Sequence, residues 1–337
     1  MFKSLALPLF DLMPPRYPVV LDGELWGLAA YFNPAKYPNR LENTKRFSAE
    51  ARRQGLRLLI VELAFGNEDF ALHDGLADRL VRLRTSTVLW HKERLLNIGL
   101  DHLPDTCDKV AWLDTDILFE NDAWVSQTKS LLNEFIVVQP YDVAWCLPPG
   151  VCTVPKGFSA DSFLSVQHGL AYTQAQAPFS REVWGHFGFA WAARRSVLQR
   201  HRFYDRMIVG SGDLAMCWAV YGDLLDFPGG KQWVEDLYSY PQLQDLSNWK
   251  DCLHNDVNGS AFFVEGRVFH LWHGRGRDRM YVPRLNILKA ANFDPKTDIA
   301  IDSSGCWRWN TNKPDLHRQV REYFWIRKED PRVDTSH

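Results

Sequence analysis

Residues 26–63 run strand, helix, strand, and that order constrains the fold more than any other feature. WGLAAYF (26–32) is apolar and aromatic and stops before Asn33-Pro34. RLENTKRFSAEARRQG (40–55) has helical spacing and ends at Gly55. LRLLIVEL (56–63) is one unbroken apolar run with Glu62 near its end. Strands without alternation are buried on both faces, so the unit implies a parallel sheet covered by helices. The alternation continues downstream. A short strand is expected near 80–83, a helix over LWHKERLLNIGLDHL (89–103), a strand over KVAWLD (109–114), a helix over 122–135 and a strand over IVVQP (136–140). FGFAWAARRSVL (187–198) reads as strand then helix, and GSGDLAMCWAVYGD (210–223) as a glycine loop then a helix. FFVEGRVFHLWHGRGRDR (262–279) reads as a hairpin-like strand pair with a basic loop, and 315–328 as a tail helix.

The whole chain, 1–337, is expected to form one α/β domain, with 46% hydrophobic and 24% charged residues excluding a disordered chain. Its core spans about 24–292, with an inserted loop at 146–184 and a helical extension at 293–337. The loop is rich in Pro, Gly, Ser and Gln, and an irregular stretch of that length inside a domain is usually functional. A net charge of −2 gives no basic field for duplex nucleic acid. The six cysteines are scattered with no C-x-x-C pair, which speaks against a cysteine zinc site and for reduced thiols in the cytoplasm. The N-terminal apolar run is broken by Pro8 and Asp11, too short for a membrane span.

Chemistry concentrates where the most strand-like segment ends. KVAWLDTDILF carries Asp114 and Asp116 one residue apart just beyond it. Ligands of open α/β sheets bind outside the carboxyl ends of the strands. An Asp-x-Asp turn there offers hard oxygen ligands to Mn²⁺ or Mg²⁺ and, through the cation, to a nucleotide diphosphate. A solvated turn would look the same. HLWHG (270–274) adds His270 and His273, each either a metal ligand or an ordinary histidine. In IVGSGDLAM (208–216), Asp213 either caps a helix or serves as a general base. Arg275, Arg277, Arg279 and Arg284 can clamp a diphosphate or stand in a solvated loop. The zinc-hydrolase pattern H-E-x-x-H is absent.

In the order KERLLNIG (92–99), DTD (114–116), GSGD (210–213) and HLWH (270–273), the motifs resemble those of glycosyltransferases of the GT-A fold. They are most similar to the β-1,4-galactosyltransferase family and the C-terminal domain of polypeptide GalNAc-transferases. The resemblance covers roughly residues 85–280 and implies a Rossmann-like nucleotide-diphospho-sugar transferase fold: a mixed, mostly parallel sheet flanked by helices. It implies Asp116, His270 and His273 as metal ligands, His270 standing where the family has methionine, and Asp213 as catalytic base, although the family has a run of acids there. It places Lys92, which replaces an arginine, together with Asn97, Asp114, Arg279, Tyr281 and Arg284, beside the donor. Asn33 and Glu62 either contact the nucleoside or cap helices. Trp184, Gly185, His186, Trp191 and Gly212 fall on the acceptor side, where tryptophan either stacks on a sugar or packs in the core.

The reaction so implied is transfer of a sugar from a UDP-sugar, with Mn²⁺ or Mg²⁺, to an acceptor hydroxyl with inversion, and retention stays open because related GT-A families with a metal histidine retain the configuration. The acceptor is a glycan, a small molecule or a modified nucleobase, and no protein partner is indicated. Two other classes stay open: a non-catalytic nucleotide-sugar binding protein and a sugar nucleotidyltransferase. The latter would want a glycine- and arginine-rich loop after the first strand, where the chain has AYFNPAKYPNR.

Overall fold

The computed structural model describes residues 14–153, 161–166, 168, 185–222 and 236–331. Strand β1 (Glu24–Phe32), helix α1 (Pro38–Arg53), β2 (Arg57–Phe65), β3 (Arg79–Thr85), α2 (Lys92–Asp101) and β4 (Cys107–Leu113) follow the expected alternation. Next come β5 (Ile117–Phe119), α3 (Trp124–Leu131), β6 (Val137–Gln139), β7 (Val143–Cys146), β8 (Ser162–Leu164), β9 (Ala190–Arg194), α4 (Arg195–His201) and α5 (Gly212–Tyr221). The last elements are α6 (Tyr240–Val257), β10 (Ala261–Phe263), β11 (Arg267–His270), a 3₁₀ turn (Gly276–Arg279), α7 (Pro283–Ala290), β12 (Ile299–Ile301), β13 (Trp307–Trp309) and α8 (Pro314–Ile326).

Seven strands form one sheet in the order β10-β6-β9-β4-β1-β2-β3. All neighbours are parallel except β9, which runs antiparallel to both β4 and β6. This is the mixed, mostly parallel sheet flanked by helices that the resemblance implies. Both faces are covered. Leu59, Val61 and Leu63 of β2 join one buried cluster with α2, while Leu58 and Ile60 join the other with Phe47 and Ala51 of α1. Each such side chain contributes roughly 1.5–3 kcal/mol on burial. Helix α2 lies close on the sheet because Gly99 has no side chain: a Cβ there would come within 2.4 Å of Leu28 Cδ1.

A second sheet, β5-β11-β7-β8, builds the site. It also corrects one expectation. The segment 262–279 is not a hairpin: β10 pairs with β6 in the main sheet, whereas β11 pairs with β5 and β7 in the second. Helix α3 is shorter than expected, ending at Leu131 before the turn into β6. Helix α6 goes beyond the sequence expectations. Ser239 caps it by accepting from Gln242 N, and its stripe of Leu246, Leu253 and Val257 is buried. The C-terminal extension is not peripheral, since Tyr323 and Phe324 of α8 sit in the same buried cluster as β1, β2 and β4. Among the described residues no helix is long and apolar enough to cross a membrane, and all six cysteines are free.

Candidate active site

The metal-ligand candidates converge through backbone register. Asp116 lies between β4 and β5, and β11 pairs antiparallel with β5 so that His270 faces Ile117. Leu271 N then donates to the Asp116 carbonyl at 2.7 Å, which locks the following turn. His270 Nε2 lies 3.7 Å from Asp116 Oδ1, and His273 Nδ1 lies 3.1 Å from Asp116 Oδ2. One ligand atom from each of the three residues falls within 4.8 Å of the others. Asp116 Oδ1 and His273 Nε2 are buried without a hydrogen-bond partner. Burial, helped by the Arg279 charge, pushes His270 down to about 3, and His273 is lowered in the same direction, so both rings are neutral. Burial and the charge of Asp114 push Asp116 up to about 7. On the far side of His270, Nδ1 lies 3.6 Å from Cys146 Sγ, because His270 and Cys146 are partners across β11 and β7.

Beside this cluster stands a second one of opposite character. Lys92, the first residue of α2, reaches Asp114 at 2.6 Å and Asp213 at 3.0 Å. Burial works against the Lys92 ammonium, and the two carboxylates overcome it and hold its pKa above the ordinary value. Burial opposes ionisation of Asp114 too, but Lys92 outweighs it and keeps that carboxyl low. For Asp213 burial wins, with Asp114 adding to it, so its pKa is raised. Asp114 also accepts from Phe189 N at 3.2 Å, tying the triplet to the start of β9. Glu93 lies beneath, pushed up to about 8 by burial.

A cavity of about 1010 Å³ joins the two clusters. Of the expected site residues it is lined by Lys92, Asp114, Asp116, His186, Asp213, His270, His273, Arg275, Arg279, Tyr281 and Arg284. His186, lowered to about 4 by burial, stacks on Phe189 at 4.2 Å and forms part of an aromatic wall. The other expected residues that the structure describes lie outside the cavity lining, most of them in structural contacts. Asn33 closes the turn into α1, exchanging hydrogen bonds with the Tyr37 backbone. Glu62 is 2% exposed and accepts from Ala71 N and Leu72 N, so it orders the loop after β2. Asn97 holds the Phe203 backbone from both sides. Trp191 is 1% exposed and stacked on Trp112 in the core, because β9 pairs directly with β4. Gly185 packs on the Ser165 carbonyl, and Gly212 is small because a Cβ would meet the Glu93 carboxyl at 2.2 Å. Trp184 and most of the loop 146–184 lie outside the described residues.

Several lining residues were not anticipated. Arg40 from α1 and Arg327 after α8 reach the cavity, and both pair with the fully buried Glu329. Asn39 Nδ2 donates to the carbonyls of Trp272 (2.7 Å) and Glu329 (3.0 Å), and Asn43 Nδ2 also donates to Trp272 O. Helix α1, the His273 loop and the C-terminal segment are thus stitched together. Only the asparagine pair at 39 and 43, one helical turn apart on α1, hinted at this.

No protein-family model matches the chain, and no curated protein matches it. Solved structures do. The catalytic domain of Drosophila β1,4-galactosyltransferase 7 in complex with xylobiose is similar at 15% identity and a TM-score of 0.31, over 58% of this chain and 59% of that one. The chain therefore spans about three-fifths of that domain. Glucosyl-3-phosphoglycerate synthase from Mycobacterium tuberculosis, solved with Mn²⁺, UDP and phosphoglyceric acid, is similar at 12% identity and a TM-score of 0.41, over 83% and 82% of the two chains. S. aureus TarS 1-349 is similar at 13% identity and a TM-score of 0.31, over 57% and 53%.

Proposed function

We propose that the protein is a metal-dependent glycosyltransferase that moves a hexose from a UDP-sugar to an acceptor hydroxyl with inversion. One observation carries this reading. The Asp116–His270–His273 cluster, with ligand-capable atoms buried and unpartnered, opens into the same cavity as the lysine-bridged carboxylates Asp114 and Asp213. Two neutral imidazoles and one carboxylate fit Mn²⁺ better than Mg²⁺, which prefers an all-oxygen shell. When bound, such a cation supplies positive charge opposite a departing diphosphate.

The chain's own residues do the rest. Arg279 is buried, donates once to the His273 carbonyl at 3.3 Å, and has further N–H groups for diphosphate oxygens. Asp213 takes the proton of the acceptor hydroxyl as that oxygen bonds to the anomeric carbon and the bond to the diphosphate breaks. Its raised pKa suits a base near neutral pH. Lys92 keeps two carboxylates close without mutual repulsion and fixes the orientation of both. The wall of His186, Phe187 and Phe189 keeps water from the reacting carbon.

The test is UDP release from a panel of UDP-sugars with Mn²⁺, Mg²⁺ or chelator. Release from one sugar, dependent on the cation, is expected. Asp213→Asn is expected to lower transfer by about 10²–10⁴-fold with UDP affinity intact. Unchanged transfer removes Asp213 from the role of base. Cation-independent UDP binding without release on any acceptor favours a binding protein instead.

A further inference from the structure

Two of the buried cations that line the cavity have no acid in direct contact. Arg40 and Arg327 share Glu329, and Lys92 has Asp114 and Asp213. Arg279 and Arg284 are 9% and 6% exposed, and neither has a carboxylate within 4.0 Å among the described residues. Arg279 lies against His273 and fits the donor diphosphate. Arg284 lies elsewhere. Its terminal nitrogens donate to two neutral hydroxyls, Tyr323 at 2.7 Å and Ser211 at 2.9 Å, and its Nε has no partner. A guanidinium has five N–H groups and stays charged, so three of Arg284's five are uncommitted.

The surroundings are built to hold this side chain. The Tyr281 ring covers it at 5.1 Å. Gly210, at φ +92°, passes so close that a Cβ would meet Arg284 Cζ at 3.3 Å. Ser211, the N-cap of the ten-residue helix α5, makes no side-chain cap bond and accepts from Arg284 instead. The first turn of α5 is therefore left with uncapped N–H groups, a second source of positive potential at the same place. Two residues beyond Ser211 comes Asp213. The charge thus stands beside the base, not beside the metal ligands.

We propose that Arg284, Ser211 and the first turn of α5 bind an oxyanion of the acceptor, a phosphate or carboxylate, and hold its hydroxyl against Asp213. The acceptor is a small anionic hydroxy compound, and Arg284 is not part of the donor clamp. Arg284 meets the Asp213 carboxylate only through space, that acid being bound to Lys92, so an acceptor oxyanion would give the buried guanidinium a direct partner that a neutral sugar would not. This inference rests on the glycosyl-transfer reading, and the experiment separates the two.

Inorganic phosphate is titrated calorimetrically into the full-length protein, alone and saturated with Mn²⁺ and UDP, in wild type, Arg284→Gln and Arg284→Lys. Phosphate is expected to bind wild type in both states and to weaken by about tenfold or more in Arg284→Gln, with UDP affinity unchanged. The lysine variant, which keeps the charge, retains part of the affinity and serves if the glutamine variant does not fold. Matched acceptors then follow: phosphorylated, carboxylated and neutral forms of the same polyol. The anionic forms are expected to accelerate UDP release and the neutral form not, and the better of the two names the oxyanion. Absence of phosphate binding, loss of UDP affinity in Arg284→Gln, or equal use of the neutral acceptor each overturns the proposal. Failure of UDP to bind, with phosphate still bound through Arg284, overturns the glycosyl-transfer reading and leaves the anion site standing.

Discussion

The two charged clusters in the cavity share one strand end and differ in what they lack. The lysine-bridged cluster is complete: Asp114 and Asp213 both have Lys92, and Asp114 also has a backbone donor. The Asp116 cluster is incomplete, with a carboxylate oxygen and an imidazole nitrogen buried and unpartnered. Burying polar atoms without partners costs stability, and here two such atoms lie next to each other at the cavity, where a cation would partner both. On the proposed reading the complete cluster is the catalytic machinery and the incomplete one a receptor for the cation, and substitutions in each should fall mainly on its own task.

The strongest break is Asp116→Ala. It is expected to abolish Mn²⁺ binding by calorimetry and lower cation-dependent UDP release by about 10²–10³-fold. Retained Mn²⁺ affinity would erase the distinction between the clusters. Lys92→Met comes next. With the side chains of all three residues 13–27% exposed, removing the bridging charge is expected to cost about 3 kcal/mol or less in urea unfolding, and Mn²⁺ affinity should stay. Cys146→Ala sharpens the comparison from the receptor side. Its thiol, pushed up to about 11 by burial, orients His270 through Nδ1. Loss of that contact should weaken Mn²⁺ by about tenfold and leave the stability of the Lys92 bridge unchanged. Trp191→Phe is the control with the smallest effect on function. It should lower stability by about 1–3 kcal/mol through a core void, with no change in the KM for donor or acceptor.

The same division governs what was legible in the sequence. The acid triplet, the histidine pair and the glycine-acid turn could be read because each sits at the end of an apolar run, and strand ends in a parallel sheet face one side. The alternation itself follows from local hydrophobicity, so the main sheet could be read as well. The hairpin at 262–279 was misread because a short strand cannot reveal which of two sheets it joins. Asn33 and Glu62 stand at strand ends like Asp114, yet close a turn and order a loop. Polarity at a strand end marks a position and not a task. Arg40, Arg327 and Glu329 could not be found at all. They meet across 289 residues of chain for the Arg40–Glu329 bond, and only the folded tail brings them under His273.

That stitching has a consequence for the order of synthesis. Lys328 N donates to the Tyr37 hydroxyl, and Asn39 N donates to Asp330, so helix α1 is among the first elements made and gains its last contacts from nearly the final described residues. The loop that carries His273 is gripped from both directions in time, with Gly274 pressed against the Arg327 carbonyl. Domains fold as the chain emerges, but a ribosome-bound chain short of residue 330 lacks one jaw of this grip. A chain clipped within α8 loses Tyr323 and Phe324 from the core as well as this grip, so it should be less stable and bind cation poorly. Mn²⁺ titration of a chain ended at residue 312, with circular dichroism to follow its fold, would read that dependence on the tail directly.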